Sequence, residues 1–547
     1  MNKKKVIYDI VHGYIEIDND TEKVINEPIF QRLRYIKQQA SNHLFPSANH
    51  TRFEHSLGVM CLAEKAFRQF ASELDYTINK VKFFKRNLNR LLINEQKPTT
   101  YLDFDIDKKT HRKIYEHWLK FHLKFAALLH DVGHSPLSHI GEYFYEKEDI
   151  INKIQNIINC HNIKEYHKIN DEKNINLNDF LKGSKHEWMS CYVILLLFKD
   201  ILNEIYERIK IEDAKEYKLN TQMPLNVDFG FIIRIITGND YNVCDIRNGI
   251  IKLVNSETID VDRIDYALRD NLMVGNLGAI IDTERLLSSI SFNKTNYKIT
   301  FKKGAISALK NFVDCRDNLY LWVCNHHLVV YTDFLYRESL KQLFKIRPEL
   351  RKDLFSCDGI INKLPTDNEI IYYLRDSYNK LTEEKVTDNE NNYFLNLLKQ
   401  LFERNNKLSS LYKTRKDYFD FLKQVDGMIP EEVNSKLNDV IDSKEVFKQF
   451  FQKIQKSVTN EFKKGDFLIL KKANKDFQEK SIRSILIDDG TKNSNLENYI
   501  SHRELKDNQD VTIFIYYKPI GNTSDKNKMK DQIKKAINDF VNGIETQ

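Results

Sequence analysis

The chain is poor in cysteine, and none of its cysteines is paired in sequence. Seven occur in 547 residues, at Cys61, Cys160, Cys191, Cys244, Cys315, Cys324 and Cys357, with no CxxC among them. An odd, scattered set of this kind reads as reduced, mostly buried thiols in a cytosolic-type compartment. The first residues, MNKKKVIYDI, are basic but lack the apolar segment of a secretory signal. Long hydrophobic runs are missing as well: the longest strongly apolar stretch, Cys191 to Phe198, is far too short to cross a bilayer. Nor does charge of one sign accumulate. The 84 basic and 78 acidic residues leave a formal net charge of only +6. That permits phosphate-bearing partners without arguing for them, since nucleic-acid binders concentrate positive charge more strongly. Internal repeats and low-complexity linkers are absent too. These absences predict a soluble, cytoplasmic protein with no membrane partner.

What is present is ample core material, with 41% hydrophobic residues and 30% charged ones. The length predicts two to four units. Val6 to Ile17 reads as a hairpin turning at His12-Gly13, and Glu27-Pro28 opens a helix through IFQRLRYIKQQ. Apolar residues at helical spacing follow a polar loop in RFEHSLGVMCLAEKAFRQFASEL, starting at Arg52. Lysine-rich residues 75–116 and polar residues 145–180 read as two insertions, with a helix over 118–129 between them. Further helices are expected after Lys185, over residues 260–270, over 280–291, and unbroken from about Ala305 to Phe344. Beyond residue 345 come charged helices and then strand-like DFLIL (466–470), SIRSILI (481–487) and VTIFIYY (511–517). A last amphipathic helix carries Met529, Ile533, Ile537, Phe540 and Val541. Two basic, aromatic-containing stretches, Lys80 to Arg90 and Phe447 to Lys475, have the composition used in single-strand binding. Solvated amphipathic helices share that composition, so nucleic acid is a weakly supported partner.

The chemistry centres on AALLHDVGHSPLSH (126–139), where an apolar helical run delivers the adjacent His130 and Asp131. Adjacent ligands do not share one helix face, so such a pair needs further ligands from elsewhere. His55 and a later Asp complete a set of two imidazoles and two carboxylates. That set suits a divalent Mn, Fe, Zn, Ni or Co ion better than Ca, which takes oxygens only, and Mg is a harder alternative. A lone histidine is more often an ordinary, satisfied core residue. Here HD, GH, SH and a distant EH occur together, which favours a site.

RFEHSLGV (52–59), HDVGHSPLSH (130–139), KHE (185–187) and DVDRIDYALRD (260–270) resemble, in order, the motifs of the HD-domain phosphohydrolases. KVIYDIVHGYIEI (5–17) and FQRLRYIKQ (30–38) are similar to the dNTP triphosphohydrolase branch of that family. The resemblance implies a mostly α fold: an HD helical core over 1–345, with insertions at about 75–117 and 145–182, and a smaller C-terminal α/β lobe over 346–547. It implies metal ligands His55, His130, Asp131 and Asp262. It implies catalytic His134 and His186, with Glu142 where relatives carry Asp. Around the phosphates it implies Arg52, His139, Arg263 (in place of the usual Lys) and Tyr266. Gln38 and Asp270 would hold the sugar 3′-hydroxyl, and Arg316 and His326 would make further substrate contacts. Cys324, two residues before His326, stands where relatives carry a tyrosine that excludes a 2′-hydroxyl, which weakens selection against ribonucleotides. A nucleotide activator site is implied at Lys5, Gln31 and Arg34. Its guanine-reading Asp is replaced by Asn26, which offers one acceptor oxygen and no charge. The implied activity is metal-dependent hydrolysis of a dNTP to deoxynucleoside and tripolyphosphate, by a homo-oligomer. Two other readings compete with it: a phosphodiesterase or nuclease acting on single-stranded or cyclic nucleotides, and a non-catalytic nucleotide sensor.

Overall fold

A computed structural model describes residues 5–40, 42–80, 109–168, 171–217, 225–241, 246–293, 298–384, 388–425, 427–459, 462–473, 482, 484–490, 493–499, 511–521 and 523–543. The fold is mostly helical with small sheets. It divides into two compact units: Met1–Cys315 with Phe344–Tyr373 and Lys480–Ser501, and Arg316–Leu343 with Leu374–Glu479 and His502–Gln547. These units interleave along the chain instead of meeting at residue 345. One cause is the strand Leu486–Asp488, which pairs parallel with Ile299–Lys302 and so returns to the first unit. That strand lies inside SIRSILI, which the sequence alone assigned to a C-terminal lobe.

The core of the first unit is built on the helices Arg52–Lys80 and Lys109–Leu129, which pack together. The second of them turns Trp118, Phe125 and the whole run Ala126–Leu129 inward. It starts about two and a half turns before the expected 118–129 helix and rests on Phe229–Thr237, every residue of which is buried. Neither this helix nor Ile246–Val254 is assigned from sequence: each is only nine residues long, and so short an apolar run does not distinguish helix from strand. The hairpin forms as expected, Lys5–Asp9 against Gly13–Ile17, with Gly13 at φ 71° in its turn.

Three local expectations need correcting. The helix after Glu27 stops early. Pro28–Gln31 is α-helical and Arg32–Tyr35 a 3-10 turn, after which Ile36 is extended and Lys37 bridges to Thr51. The backbone amide of Lys37 also donates to the Asp367 carboxylate at 2.9 Å, a bond that a continuing helix would forbid. Within the expected insertion over 145–180, the helix Lys147–Cys160 buries Ile150, Ile154 and Ile158, and Lys164–Lys168 pairs with Asp171–Asn174. The helix begun at Lys185 continues through a π-helical turn, Ile194–Phe198, to Glu216. The long helix expected over 305–344 breaks into Ile306–Leu319, a π-helical turn Tyr320–Cys324, and His327–Ile346. Of the two basic stretches, residues 81–90 and part of Phe447 to Lys475 lie outside the described residues.

In the second unit Val511–Tyr517 is the middle of three antiparallel strands, between Ser409–Ser410 and Phe467–Ala473. Its period-2 alternation sends Ile513 and Ile515 into one core with Phe450, Ile454, Ile533 and Ile537. Phe514 and Tyr516 enter another with Tyr331, Leu335 and Leu397. Among the described residues no helix is long and apolar enough to cross a membrane.

Candidate active site

Leu129 ends its helix, and the backbone then turns: Val132 N–H donates to Leu129 O and His134 N–H to Asp131 O. Gly133 makes the turn possible, because a Cβ there would overlap the backbone of Met189 and Ser190 on the neighbouring helix Lys185–Val193. His130 and Asp131 are thereby presented beside His55, from the Arg52–Lys80 helix, and Asp262, from Val261–Met273. His55 Nε2 stands 3.0 Å from Asp262 Oδ1 and 3.7 Å from Asp131 Oδ2. His130 Nε2 stands 3.6 Å from Asp131 Oδ1 and 3.8 Å from Asp262 Oδ1.

Each imidazole has its outer nitrogen occupied. His130 Nδ1–H donates to Ala127 O at 2.8 Å, leaving Nε2 buried with no hydrogen-bond partner. His55 Nδ1–H donates to Asp265 Oδ2 at 2.7 Å. Fixing the outer nitrogen in this way aims the inner lone pair at one point, as metal-binding histidines require. Burial opposes charge on His55, but its hydrogen bonds to Asp262 and Asp265 outweigh burial and raise its pKa to about 10, so the pocket favours positive charge. Burial likewise opposes charge on Asp131, yet Arg52, His130 and His134 hold its carboxyl well below the usual range. A divalent cation fits this donor set of two imidazoles and two carboxylates, in which the inner nitrogen of His130 is unpartnered and that of His55 faces Asp262.

Beside this group lies a second one. His134, His139, Glu142 and His186 place one potential ligand atom each within 4.8 Å of one another. Glu142 Oε1 accepts from His139 Nδ1 (2.5 Å) and lies 3.0 Å from His186 Nδ1 and 3.5 Å from His134 Nε2. The His134 and His186 rings stack at 4.5 Å. His186 Nε2 is 3.9 Å from Asp131 Oδ1, which links the two groups. His134 is fully buried and neither of its ring nitrogens makes a hydrogen bond. Burial, then the positive charges of Arg52 and His186, drive it well below the ordinary imidazole range. For His186 burial also opposes charge, but Glu142 outweighs it and raises the pKa to about 9. Two stacked histidines are thus held in opposite protonation states at neutral pH.

The other residues singled out in sequence are placed unevenly. Arg52 reaches into the site, but it grips Asp131 Oδ2 at 2.8 Å and Ser138 Oγ at 3.1 Å. His139 is side-chain exposed and joins the Glu142 group. Asp270 accepts from His50 Nε2 and Gln39 Nε2, both at 2.6 Å, while Gln38 is buried with Oε1 unpartnered. Arg263 folds back on the Ser256 carbonyl and the helix-capping Asp260, and Tyr266 is half-buried on the same helix. Arg316 and His326 belong to the second unit, where the guanidinium lies over Tyr320 and the imidazole stacks on His327. Of the four residues implied for an activator, Gln31 donates to Ile25 O and accepts from Arg34, which lies over the Phe53 ring. Lys5 pairs with Glu22, and Asn26 is the exposed C-cap of the helix Asn19–Ile25.

Several residues that matter to the geometry were not singled out. Asp265, which orients His55, is itself held by Arg269 (Nε–Oδ2 2.9 Å) and by His12 (Nε2–Oδ1 2.5 Å). Asp9 in turn accepts from Arg269 at 2.7 Å. A signal existed: Asp262, Asp265 and Arg269 sit at helical i, i+3, i+7 spacing inside DVDRIDYALRD. Nothing tied the hairpin residues Asp9 and His12 to them. Gly58 leaves the space for this network, since a Cβ there would overlap the Asp265 carboxylate and the Arg269 guanidinium. On the other side, Leu137 (φ 58°) and Ser138 (φ 50°) are consecutive left-handed residues, a costly backbone held only by its surroundings. Leu137 N–H donates to Asp367 (2.6 Å), Ser138 Oγ to Lys37 O (2.6 Å), and Arg32 to the carbonyls of Val132 and His134.

No family model matches the chain. A putative HD domain-containing protein of Acanthamoeba polyphaga mimivirus is 26% identical over 384 residues, 69% of this chain and 62% of that protein. A deoxynucleoside triphosphate triphosphohydrolase SAMHD1 homolog of Dictyostelium discoideum is 25% identical over 376 residues, 67% of this chain and 55% of that protein. The chain therefore spans little more than half the length of the curated relatives it matches. The crystal structure of a phosphohydrolase from Bacteroides thetaiotaomicron shares the fold, with a TM-score of 0.52 and 18% identity over 94% of this chain and all of that one. Ordered motifs and relatives agree: the chain is similar to HD domain-containing proteins and to dNTP triphosphohydrolase homologues, and it shares a fold with a solved phosphohydrolase.

Proposed function

We propose that the protein hydrolyses deoxynucleoside triphosphates to a deoxynucleoside and tripolyphosphate. One observation carries the reading: a two-histidine, two-carboxylate group lies against a His–Glu–His group whose histidines differ in protonation. Relatives named dNTP triphosphohydrolases supply the substrate class. A cation held by His55, His130, Asp131 and Asp262 would supply Lewis-acid polarisation of a phosphoryl oxygen.

The chain's own residues then divide the remaining work. In the reaction water adds to the α-phosphorus, the bond from that phosphorus to the 5′-oxygen breaks, and the 5′-oxygen takes a proton. Such a displacement needs one group able to accept a proton or attack, and one able to give a proton. In this reading neutral His134 is the first and protonated His186 the second, with Glu142 maintaining the difference. Environments that push two titratable groups apart are how sites assign acid and base roles. Arg52, which grips Asp131, would supply a guanidinium for the phosphate oxygens. An activator nucleotide at Lys5, Gln31 and Arg34 would discriminate guanine poorly, because Asn26 lacks the charge to pair with N1–H and N2–H.

The test is product analysis. Protein of measured metal content is incubated with each dNTP, each NTP, single-stranded DNA and cyclic dinucleotides. Nucleoside plus tripolyphosphate is expected; monophosphates released from oligomers, or no turnover at all, would overturn the reading.

A further inference from the structure

We infer that His134, His139, Glu142 and His186 form a second, inhibitory site for a borderline-soft divalent cation, with Zn²⁺ as the best fit. The inference rests on the proposed catalytic use of this group and adds a regulation of it. Three imidazoles and one carboxylate are a zinc-type donor set, softer than the two-histidine, two-carboxylate group beside it.

The spacing is close to what the ion needs. Ligand distances of about 2.1 Å in a tetrahedron put neighbouring donors roughly 3.4 Å apart. Glu142 Oε1 already stands 3.5 Å from His134 Nε2 and 3.0 Å from His186 Nδ1, and 2.5 Å from His139 Nδ1. Of the three Glu142 edges only the one to His139 must open by much, and His139 is the exposed member, with 59% of its side chain accessible. An independent observation points to a ligand. His134 is completely buried and both its ring nitrogens lack a hydrogen-bond partner, so an electron pair is held ready in a place where burial normally requires pairing. The remaining donors sit on firm supports. Glu142 and His139 lie one turn apart on the 3-10 helix Ser138–Phe144, and His186 opens a helix fixed by the Ser184–Glu187 capping box.

An ion bound here would take up ring nitrogens of both His134 and His186. Both proposed catalytic groups would be lost at once. Exposed His139 gives the ion a route from solvent that does not pass the His55 group.

Equilibrium dialysis with ⁶⁵Zn, on protein whose first site is already filled with a slowly exchanging cation such as Co(III), counts the additional zinc. The expectation is one further zinc per chain in the wild type. It should be lost in His139→Ala/Glu142→Gln and kept in His130→Ala, and X-ray absorption should show a nitrogen-rich first shell. No further zinc, or further zinc that survives the double substitution, overturns the site. With the same protein, turnover should fall roughly 100-fold at saturating zinc, the size of a lost acid–base contribution. Unchanged turnover with zinc bound overturns the inhibition. If no nucleotide is hydrolysed under any condition, the proposed activity fails while the dialysis still decides the site.

Discussion

The two halves of the candidate site are built to different standards. Around His55 and His130 every outer nitrogen is tied to a buried acceptor, and behind His55 stands a chain of opposite charges, Asp265, Arg269 and Asp9, sunk in the first unit. His134, by contrast, has no hydrogen bond at either nitrogen. Its neighbours sit on a short 3-10 turn and on the first turn of a helix, and the turn is approached through left-handed Leu137 and Ser138. One half is arranged to keep a fixed geometry, the other to change protonation. A rigid site needs each member paired; a proton-transferring one needs groups whose preferred state is finely balanced.

Substitutions should separate the halves, the greatest effect first. Asp131→Ala, which touches both, should remove bound metal and lower turnover by on the order of 10³-fold or more, seen by elemental analysis and product assay. It also strips Arg52 of its buried partner. His134→Gln should cost roughly 10²- to 10⁴-fold in turnover and leave metal content intact; metal loss in that variant would erase the distinction drawn here. His12→Ala should act the opposite way, weakening metal affinity by about 10- to 100-fold through the loosened Asp265, with melting little changed. Gly58→Ala tests the same network from the packing side and should destabilise by about 1–3 kcal/mol in denaturant unfolding, because the Asp265–Arg269 pair must move.

The pH dependence is the smallest effect and has a defined sign. His186 has a folded pKa of about 9 against an ordinary 6.5: burial lowers it and the Glu142 charge more than restores it. A raised value means that the His186–Glu142 contribution to stability is complete below pH 6.5 and disappears as pH climbs through about 9. Turnover should fall over the same upper window, and His186→Gln should lack that limb. An unchanged alkaline limb in the variant would detach His186 from proton transfer.

Much of this was readable before any coordinates. Residues far apart in the chain, His55, His130–Asp131 and Asp262, lie together, the hairpin appears where turn residues put it, and the two central helices include their expected spans but run further into the expected insertion. Three features were not readable, each for a physical reason. Helices as short as Phe229–Thr237 offer too few residues to tell a helical run from a strand. The early end of the helix at Tyr35 is imposed by a carboxylate more than 300 residues away, Asp367. The pairing of Ile299–Lys302 with Leu486–Asp488 leaves no local trace in so short a strand. Roles that depend on which way a side chain turns, as for Arg52 and Arg263, were equally beyond composition and spacing.

The hairpin turn has a last consequence, for the order of assembly. His12 meets Asp265 across 253 residues and Asp9 meets Arg269 across 260. Contacts of such separation close late, because the intervening chain must first give up its freedom. On the ribosome the opening hairpin therefore waits, half-finished, until some 270 residues have emerged. Only then does His55 acquire a fixed orientation. The fixing of His55 follows that closure, and Asp9 and His12 act as the latch.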